Sequence, residues 1–355
     1  MQYCGRFAPS PSGRLHLGSL VAAYASYFRA VQAQGNFIIR IEDLDFPRCP
    51  QENTPIMLQE LELLGLKSSI EPIIQSQQLS VYNQALTKLV NNSQAYYCQC
   101  TRALMKERPC PCAQADVQES IKQGSLDYVA IRIDLSDYLK HHSSFVDGNL
   151  GLIEQPSNLA HSLVLKRADN IIAYNLAVVL DDHNEGISEV VRGADMLDAT
   201  FLQLCLYEIL GFRAPDFFHV ALITAPNGLK FSKQNKAPAV LDSNAPHQLL
   251  ITTYRLLGQS LPQSTKFCSS IAKLDKLYAL LGNSAQQCNG YLSYCYGSSP
   301  HGFSIHEPYM IGQALSHQEN KNSCALEYRD LFESLLCLLA QSFNVQSMPK
   351  IPIVI

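Results

Sequence analysis

Apolar and polar positions alternate with two different periods along the first part of the chain. Residues 3–8 and residues 37–41 form short, largely apolar runs that are typical of buried strands, and each run ends at breaking or polar residues. Between them, apolar side chains recur at helical spacing from Leu20 to Val31, and Gly35 ends this pattern. A strand, a helix and a second strand in this order predict an α/β fold.

The same two periods predict further elements along the chain. Strands are expected at residues 127–133, from 161 to 165, within 186–195 and at 217–224. Helices are expected at residues 55–64, 81–90, 198–210, 246–257 and 271–281, and residues 173–182 form a buried element that ends in two carboxylates. Residues 298–322 show no clear period. Residues 328–343 have helical spacing, and Asp330 and Glu333 favour a docking helix over a membrane span.

Composition and charge narrow the class of protein. Apolar residues make up 47% and charged residues 16% of the chain, which is typical of a globular protein. We find no apolar run as long as a membrane span and no secretory signal, so we expect a cytoplasmic protein with no membrane partner. The net charge of −4 argues against non-specific coating of nucleic acid, although a local basic patch could still hold one folded RNA.

The segment from Arg6 to Ser19 joins the first strand to the first helix through two prolines and a glycine. The free backbone N–H groups and the dipole at the start of a helix favour a phosphate group. Gly18 would let a nucleotide approach closely, and His16 offers a ring donor beside it. Ordinary helix capping is the alternative role for His16.

Charged residues follow two of the predicted strands. The stretch Arg40-Ile-Glu-Asp-Leu-Asp45 places three carboxylates at the carboxyl end of a strand, where ligands bind in open α/β sheets. Three carboxylates in so short a stretch repel each other, so a cation is expected nearby. Arg192 ends a later strand and could clamp an anion. A solvated turn and a surface cation are the alternatives for these two groups.

Residues 229–236 read Leu-Lys-Phe-Ser-Lys-Gln-Asn-Lys and follow a turn at Pro226-Asn-Gly228. The three lysines and the serine could grip a triphosphate through charge-assisted hydrogen bonds. A basic surface loop is the alternative for this stretch.

Four of the twelve cysteines crowd into one short stretch, at Cys98, Cys100, Cys110 and Cys112. In a reducing compartment such clustering favours a metal over disulfides. Two Cys-x-Cys pairs can surround one tetrahedral Zn²⁺, and four sulfurs leave no open position, so a structural zinc is expected. A site that has lost its metal and free thiols on a loop are the alternatives.

Together these segments resemble a known family. Residues 9–19 resemble the HIGH signature of class I aminoacyl-tRNA synthetases, and Lys230-Phe-Ser-Lys-Gln234 resembles their KMSKS loop. Arg40-Ile-Glu-Asp-Leu-Asp45 and the segment from Tyr174 to Gly193 are similar to the glutamate-specific branch. Over residues 3–241 the pattern resembles the glutamyl-queuosine tRNA(Asp) synthetases, which are paralogues of glutamyl-tRNA synthetase that lack the anticodon-binding domain.

The resemblance implies a role for each matching residue. Glutamate would be held by Arg6, Phe7, Ala8, Pro9, Ser10, Glu42, Tyr174 and Arg192. ATP with Mg²⁺ would be bound by His16, Gly18, Ser19, Lys230, Ser232 and Lys233, of which His16 and Lys233 would be catalytic.

Individual roles follow from the chemistry of these side chains. Arg6 or Arg192 could take a carboxylate bidentately, and Glu42 could hold the ammonium group. Ser19 replaces the second histidine of the wider superfamily signature.

The cysteines match the family only in part. Cys98 and Cys100 match the first two zinc ligands of the family. Cys110 and Cys112 stand where the family has a tyrosine and a cysteine, so the ligand set rests on chemistry rather than on the resemblance.

The implied reaction has two steps and needs no nucleophilic side chain, so catalysis would be positioning and charge stabilisation. Glutamate and ATP would give glutamyl-adenylate, and a hydroxyl of the queuosine base in the anticodon of tRNA(Asp) would then take the glutamyl group. We expect a monomer. Two other functions remain open: a compact glutamyl-tRNA synthetase that charges tRNA(Glu), and a nucleotide- or RNA-binding paralogue without catalytic activity.

The expected fold is α/β, with a class I synthetase Rossmann-like catalytic domain at residues 1–95 and 170–241. An inserted, acceptor-binding-like subdomain that carries the cysteines is expected at residues 96–169. Residues 242–288 would form a helical segment, and residues 289–355 form a C-terminal tail for which the sequence indicates no role.

Overall fold

The computed structural model describes residues 2–107, 110–124, 126–224, 239–281 and 315–354. The strands are β1 (Cys4–Phe7), β2 (Asn36–Ile41), β3 (Ile73–Ile74), β4 (Ala95–Cys98), β5 (Ala130–Asp134), β6 (Ser144–Asp147), β7 (Gly151–Glu154), β8 (Ser162–Lys166), β9 (Glu189–Gly193), β10 (Asp216–Val220), β11 (Ile223–Thr224) and β12 (Ile353–Val354). The helices are α1 (Leu17–Gln32), α2 (Asn53–Leu63), α3 (Leu79–Asn91), α4 (Arg102–Glu107), α5 (Ala115–Gln123), α6 (Tyr138–His141), α7 (Tyr174–Asn184), α8 (Leu197–Leu210), α9 (Pro246–Leu256), α10 (Thr265–Leu281) and α11 (Leu315–Ser342).

Five strands form a parallel sheet in the order β10-β9-β1-β2-β3, which confirms the predicted α/β fold. Every residue of β1 and all but the first residue of β2 are buried, as expected for a parallel sheet that is covered on both faces. The strand order reverses between β1 and β9. The carboxyl ends of these two strands therefore border the crevice in which open α/β sheets bind ligands.

Helix α1 connects β1 to β2 and packs against the sheet. Leu20, Tyr24 and Phe28 are fully buried, and because they are four residues apart they lie on one face of the helix. The helix predicted from the spacing of apolar residues between Leu20 and Val31 is therefore confirmed.

An inserted region between α3 and α7 builds two smaller antiparallel sheets. Strands β4, β5 and β8 form one of them, and β6 and β7 pair as a hairpin in which Asp147 faces Gly151. The four clustered cysteines lie at the end of β4 and in the segment that leads into α5.

The C-terminal helices α9, α10 and α11 share an apolar core with α1. The ring of Phe28 lies 5.7 Å from that of Tyr254 on α9 and 5.2 Å from that of Phe343, centroid to centroid. The docking helix predicted at residues 328–343 is therefore confirmed. At the end of the described chain, β12 pairs in parallel with β11 in a separate two-stranded sheet.

Several element boundaries differ from the sequence prediction. Helix α11 begins at Leu315, inside the stretch without a clear period. This start was not predicted because residues 316–322 are all polar and show no apolar stripe. Helix α10 begins at Thr265, whereas the prediction had it begin at residue 271. The first turns of α10 are also mostly polar, so their apolar residues show no helical spacing. The single strand predicted at residues 217–224 is divided into β10 and β11. No helix in the described part of the chain combines the length and hydrophobicity needed to cross a membrane.

Candidate active site

A cavity of about 1030 Å³ opens at the carboxyl ends of β1 and β9. Every described residue that is predicted to bind glutamate or ATP lines this one cavity. These residues are Arg6, Phe7, Ala8, Pro9 and Ser10 from the end of β1, His16, Gly18 and Ser19 from the start of α1, Glu42 after β2, Tyr174 at the start of α7, and Arg192 on β9. Lys230, Ser232 and Lys233 lie outside the described residues.

His16 is the N-terminal cap of α1. Its Nδ1 atom accepts a hydrogen bond from the backbone N–H of Ser19 at 3.2 Å, and its Nε2 atom lies 3.0 Å from the Ser19 hydroxyl. The first turn of α1 borders the cavity, so the positive end of the helix dipole acts there on any bound anion. His16 therefore both caps α1 and lines the cavity.

The proline-rich loop that precedes α1 is fixed to the neighbouring elements. Glu60 on α2 accepts a hydrogen bond from the backbone N–H of Leu15 at 3.0 Å and also pairs with Arg14. The backbone N–H of Glu42 donates to the carbonyl oxygen of Pro9 at 3.0 Å. These contacts hold the loop at the edge of the cavity.

Beneath one side of the cavity, five buried charged residues and the partly buried Glu185 form an ion-pair cluster: Arg6, Arg40, Glu42, Asp181, Asp182 and Glu185. Asp182 lies 3.2 Å from Arg6 Nε and 2.8 Å from Arg40 Nη2. Arg40 also contacts Glu42 at 3.3 Å. Four carboxyl groups face only two guanidinium groups, so the cluster has more acidic than basic groups. Cations lie near the carboxylates after β2, as we expected: Arg40 pairs with Glu42, and Arg48 and Arg167 pair with Asp45.

Glu42 is the carboxyl group of this cluster that lines the cavity. Burial is the main cause that raises its pKa, and although Arg40 and Arg6 oppose this effect, the pKa of Glu42 reaches about 7. Its carboxyl group therefore changes charge near neutral pH. A bound ammonium group would favour the ionised form.

The opposite wall holds a second kind of buried arginine. Arg192 is only 7% exposed, and its guanidinium group donates to neutral acceptors, which together form the Arg192 cradle. The acceptors are Gln203 Oε1 at 2.8 Å, Thr200 Oγ1 at 2.8 Å, His219 Nε2 at 3.2 Å, the Tyr174 hydroxyl at 3.4 Å and the Met196 carbonyl oxygen at 3.5 Å.

Within the described residues, no carboxylate lies within ion-pair distance of Arg192. Burial, which is the main cause, lowers the pKa of Arg192 from its ordinary value. The guanidinium group is thus a buried cation that faces the cavity without a countercharge. A carboxylate on a ligand would supply the missing countercharge.

The four clustered cysteines bring their sulfur atoms together at a separate site. Cys98 Sγ lies 3.6 Å from Cys110 Sγ, Cys100 Sγ lies 3.6 Å from Cys112 Sγ, and Cys100 Sγ lies 3.7 Å from Cys110 Sγ. All four sulfurs lie within 4.8 Å of one another. The separations of 3.6 and 3.7 Å are much longer than the disulfide bond length of about 2.05 Å. The cluster could hold a metal ion. None of the four cysteines lines the cavity.

Sequence reasoning missed Thr200, Gln203 and His219, which hold Arg192 in place, and it did not assign Arg40 to the cluster. A common signal marks all four residues, because each is a polar residue inside an otherwise apolar run. Arg40 and His219 lie in buried strands, and Thr200 and Gln203 share one face of α8 at a spacing of three residues.

Comparison with known proteins gives the family. The model of the class I tRNA synthetases (E and Q), catalytic domain, matches residues 4–289. The glutamyl-Q tRNA(Asp) synthetase of Vibrio parahaemolyticus serotype O3:K6 is 40% identical over 273 residues, which are 76% of this chain and 88% of that protein. The glutamyl-Q tRNA(Asp) synthetase of Escherichia coli K12 is 40% identical over 259 residues, which are 73% of this chain and 82% of that protein.

Solved structures agree on the fold. The glutamate-tRNA synthetase from Elizabethkingia anophelis aligns with a TM-score of 0.59 at 19% identity, over 90% of this chain and 84% of that one. The glutamate tRNA ligase from Elizabethkingia meningosepticum, in complex with its amino acid, aligns with a TM-score of 0.60 at 18% identity, over 96% and 92%. The chain therefore belongs to the class I tRNA synthetases of the E and Q type, and within them to the glutamyl-Q tRNA(Asp) synthetase family of ligases.

Proposed function

We propose that this chain activates L-glutamate with ATP and transfers the glutamyl group to queuosine in the anticodon of tRNA(Asp). Membership of the family supports this function. The observation that carries the choice of amino acid is Arg192, a buried cation that faces the cavity and whose acceptors among the described residues are all neutral. A ligand with an acidic side chain satisfies it, whereas a neutral side chain leaves its charge unpaired.

The two charged sides of the cavity would bind the two ends of glutamate. The side-chain carboxylate would pair with Arg192, and the Tyr174 hydroxyl beside it would help to orient the same group. The ammonium group would pair with Glu42. Arg6 is already paired with Asp182, so we assign the carboxylate-binding role to Arg192 and a structural share of the pocket to Arg6.

Residues 7–10 would form the wall that holds the glutamate backbone between these two ends. They follow Arg6 at the end of β1 and line the cavity. Their position between the start of α1 and the ion-pair cluster supports this role.

The phosphates of ATP would lie at the start of α1. His16, the backbone of Gly18 and Ser19, and the positive end of the helix dipole line that part of the cavity. Lys230, Ser232 and Lys233 would complete the phosphate contacts, as the resemblance implies. Mg²⁺ would enter bound to the phosphates, and we assign it no protein ligand.

The reaction would proceed in two displacements. An oxygen of the glutamate α-carboxylate attacks the α-phosphorus of ATP, the bond to the β-phosphate oxygen breaks, and pyrophosphate leaves with the electron pair. A hydroxyl of queuosine then attacks the carbonyl carbon of glutamyl-adenylate, loses its proton, and releases AMP. His16 and Lys233 would stabilise charge on the phosphates in the first step, while Arg192 and Glu42 keep the carboxylate in line.

The cysteine cluster would hold one structural Zn²⁺. A tetrahedral zinc site with Zn–S bonds of about 2.3 Å has sulfur–sulfur edges of about 3.8 Å. The observed separations of 3.6 and 3.7 Å come close to this value before any metal is considered. Four thiolates leave no position for a substrate, so zinc would stabilise the inserted region rather than take part in the reaction. We propose that the protein acts as a monomer.

Labelled glutamate tests this proposal. Purified protein is incubated with ATP, labelled glutamate and one of three RNAs: tRNA(Asp) with queuosine, tRNA(Asp) without queuosine, or tRNA(Glu). We expect label only on the first RNA, and nuclease digestion should locate it on the anticodon nucleotide. Label at the acceptor end of tRNA(Glu) would instead support a compact glutamyl-tRNA synthetase, and label on none of the RNAs would overturn the transfer step.

A separate assay tests the activation step. Glutamate-dependent exchange of pyrophosphate into ATP should proceed without any tRNA, because all proposed contacts of the first step come from the protein. Exchange that requires tRNA would contradict this arrangement of the site.

A further inference from the structure

We propose that Asp147 and His219 are positioning residues that fix the direction of the Arg192 guanidinium group without cancelling its charge. This inference rests on the proposed role of Arg192 in binding the glutamate side chain. Neither residue lines the cavity, and both side chains are completely buried. They lie 72 positions apart in the chain and come from different parts of the fold.

The three side chains form a chain of contacts. Asp147 Oδ2 lies 2.6 Å from His219 Nδ1, and His219 Nε2 lies 3.2 Å from Arg192 Nε. Asp147 also accepts hydrogen bonds from the backbone N–H groups of His219 at 3.0 Å, Asn149 at 3.0 Å and Leu150 at 2.9 Å. Burial alone would raise the pKa of Asp147, but these hydrogen bonds lower it, so the carboxylate stays ionised.

This arrangement allows only one form of the histidine ring. An ionised carboxylate can only accept, so Nδ1 of His219 must carry a proton and donate to Asp147. Arginine can only donate, so Nε2 must be unprotonated and accept from Arg192. Burial is the main cause that lowers the pKa of His219, and the Arg192 charge lowers it further, which agrees with a neutral ring.

The neutral ring explains how Arg192 can be oriented and still remain available. A carboxylate placed directly on the guanidinium group would neutralise it, as Asp182 does for Arg6 at 3.2 Å. An imidazole acceptor gives the same directional control with no charge of its own. Asp147 fixes the proton of that ring from the far side, as a carboxylate hydrogen-bonded to a metal-bound histidine does.

The hairpin of the inserted region delivers Asp147 to this position. Asp147 ends β6, and the turn that follows is seated on β10, because the Gly148 N–H donates to the Phe217 carbonyl oxygen at 2.8 Å. A side chain on Gly148 would meet Phe218 Cδ2 at 2.8 Å, so only glycine allows so close an approach. The Asn149 amide donates to the carbonyl oxygen of His219 at 3.0 Å. The inserted region is thereby fastened to the strand that carries His219.

Two substitutions at His219 separate positioning from mere packing. His219→Gln places an amide oxygen near the position of Nε2 and can still accept from Arg192, whereas His219→Asn places its amide near Nδ1 and can still donate to Asp147. A positioning role predicts that His219→Asn raises the KM for glutamate at least about tenfold, which corresponds to losing one hydrogen bond to a charged group. The KM for ATP should stay within about twofold, and His219→Gln should keep more of the glutamate affinity.

A purely structural role predicts the larger effect for His219→Gln, because His219→Asn leaves the buried Asp147 carboxylate with a hydrogen-bond donor and His219→Gln does not. Melting temperatures of both variants report that structural cost separately. His183→Gln is the matched control, since His183 is an exposed histidine outside the cavity, and its KM values should not change. Equal effects of His219→Asn and His219→Gln on the KM for glutamate, or a larger effect of His219→Gln, would overturn the proposal.

A spectroscopic measurement tests the ring itself and does not depend on the reaction. In protein labelled with ¹⁵N-histidine, the His219 signals are identified by their loss in His219→Gln. We expect the Nδ1-protonated neutral form near pH 7.5 in the wild type, and a change of form in Asp147→Asn. A charged ring or an Nε2-protonated ring in the wild type would overturn the positioning pair. If the ring has the expected form but glutamate-dependent exchange is absent, the proposed function fails instead.

Discussion

The two sides of the cavity contain the same guanidinium group in opposite electrostatic settings. In the ion-pair cluster, Arg6 and Arg40 are surrounded by carboxylates, and Asp182 lies 3.2 and 2.8 Å from them. In the Arg192 cradle, hydrogen bonds from a buried arginine go only to neutral atoms, the shortest at 2.8 Å. The first arrangement uses the positive charge within the fold. The second leaves it available to a ligand.

The proposed function assigns selection of the ligand to only one of these three buried arginines. Burial of an unpaired charge costs free energy, so a buried cation without a countercharge indicates a functional requirement. A paired cation has a structural explanation. The excess of carboxyl groups in the cluster in turn provides the negative side on which an ammonium group can bind.

The largest expected effect is on stability, when the paired arginine is removed. Arg40→Met removes the cation that pairs with four carboxyl groups, those of Glu42, Asp181, Asp182 and Glu185, and we expect the free energy of unfolding to fall by about 3–5 kcal/mol. The same substitution at Arg192 removes an unpaired charge, and we expect a loss of only about 1 kcal/mol. Urea unfolding of both variants measures these values. Equal losses of unfolding free energy in the two variants would show that Arg40 and Arg192 do not differ in their electrostatic setting.

The next largest effect is on activity, and here we expect the substitution of Arg192 to be more severe than that of Arg40. Arg192→Met should lower kcat/KM for glutamate in pyrophosphate exchange by about 10²–10³-fold, because a buried charge pair with the substrate is lost. Arg213→Met is the matched control, since Arg213 is exposed and does not line the cavity, and it should leave exchange unchanged. Exchange by Arg192→Met within about threefold of the wild type would remove this arginine from the site.

The acidic side predicts a dependence on pH. Burial raises the pKa of Glu42 to about 7, so the carboxyl group is neutral below that pH and cannot pair with an ammonium group. We expect kcat/KM for glutamate to fall about tenfold for each pH unit below 7 and to level off above it. In Glu42→Gln the value should be low and this slope should vanish. A slope that persists in Glu42→Gln would assign the titration to another group, such as Glu185, whose pKa burial also raises to about 7.

The smallest effect on exchange is expected at the cysteine cluster. Cys112→Ser should reduce the zinc content from about one ion per chain, as measured by metal analysis, and should lower the melting temperature. Because none of the four clustered cysteines lines the cavity, glutamate-dependent exchange at a temperature below melting should stay within about threefold of the wild type. Loss of glutamate-dependent exchange in a folded Cys112→Ser protein would show that the cysteine cluster influences the charged groups of the cavity.

The sequence predicts the parts of this site that lie at the ends of buried elements. Short, largely apolar runs mark β1, β2 and β9, and the residues at or just after the ends of these strands, among them Glu42 and Arg192, come together because parallel strands share a carboxyl edge. The cysteine cluster is predictable for a different reason. Its four ligand atoms lie within one short stretch of chain, so spacing alone brings them close.

The pairings of the buried charges could not be predicted in this way. Arg40 and Asp182 are 142 positions apart, and Asp147 and His219 are 72 apart, so only the folded sheet brings these side chains into contact. For the same reason, the sequence left open whether Arg6 or Arg192 would take a carboxylate. The start of α11 was missed because polar residues fill its first two turns, and a helix without an apolar stripe has no periodic signal.

The most direct test of the unpaired cation is the preference for glutamate over glutamine, measured by calorimetric titration of the wild type and of Arg192→Gln in the absence of ATP. The two amino acids have nearly the same shape and differ in side-chain charge. We predict that the wild type binds glutamate at least about 100-fold more tightly than glutamine, and that Arg192→Gln binds both with similar affinity. A preference for glutamate that is retained in Arg192→Gln would contradict the account.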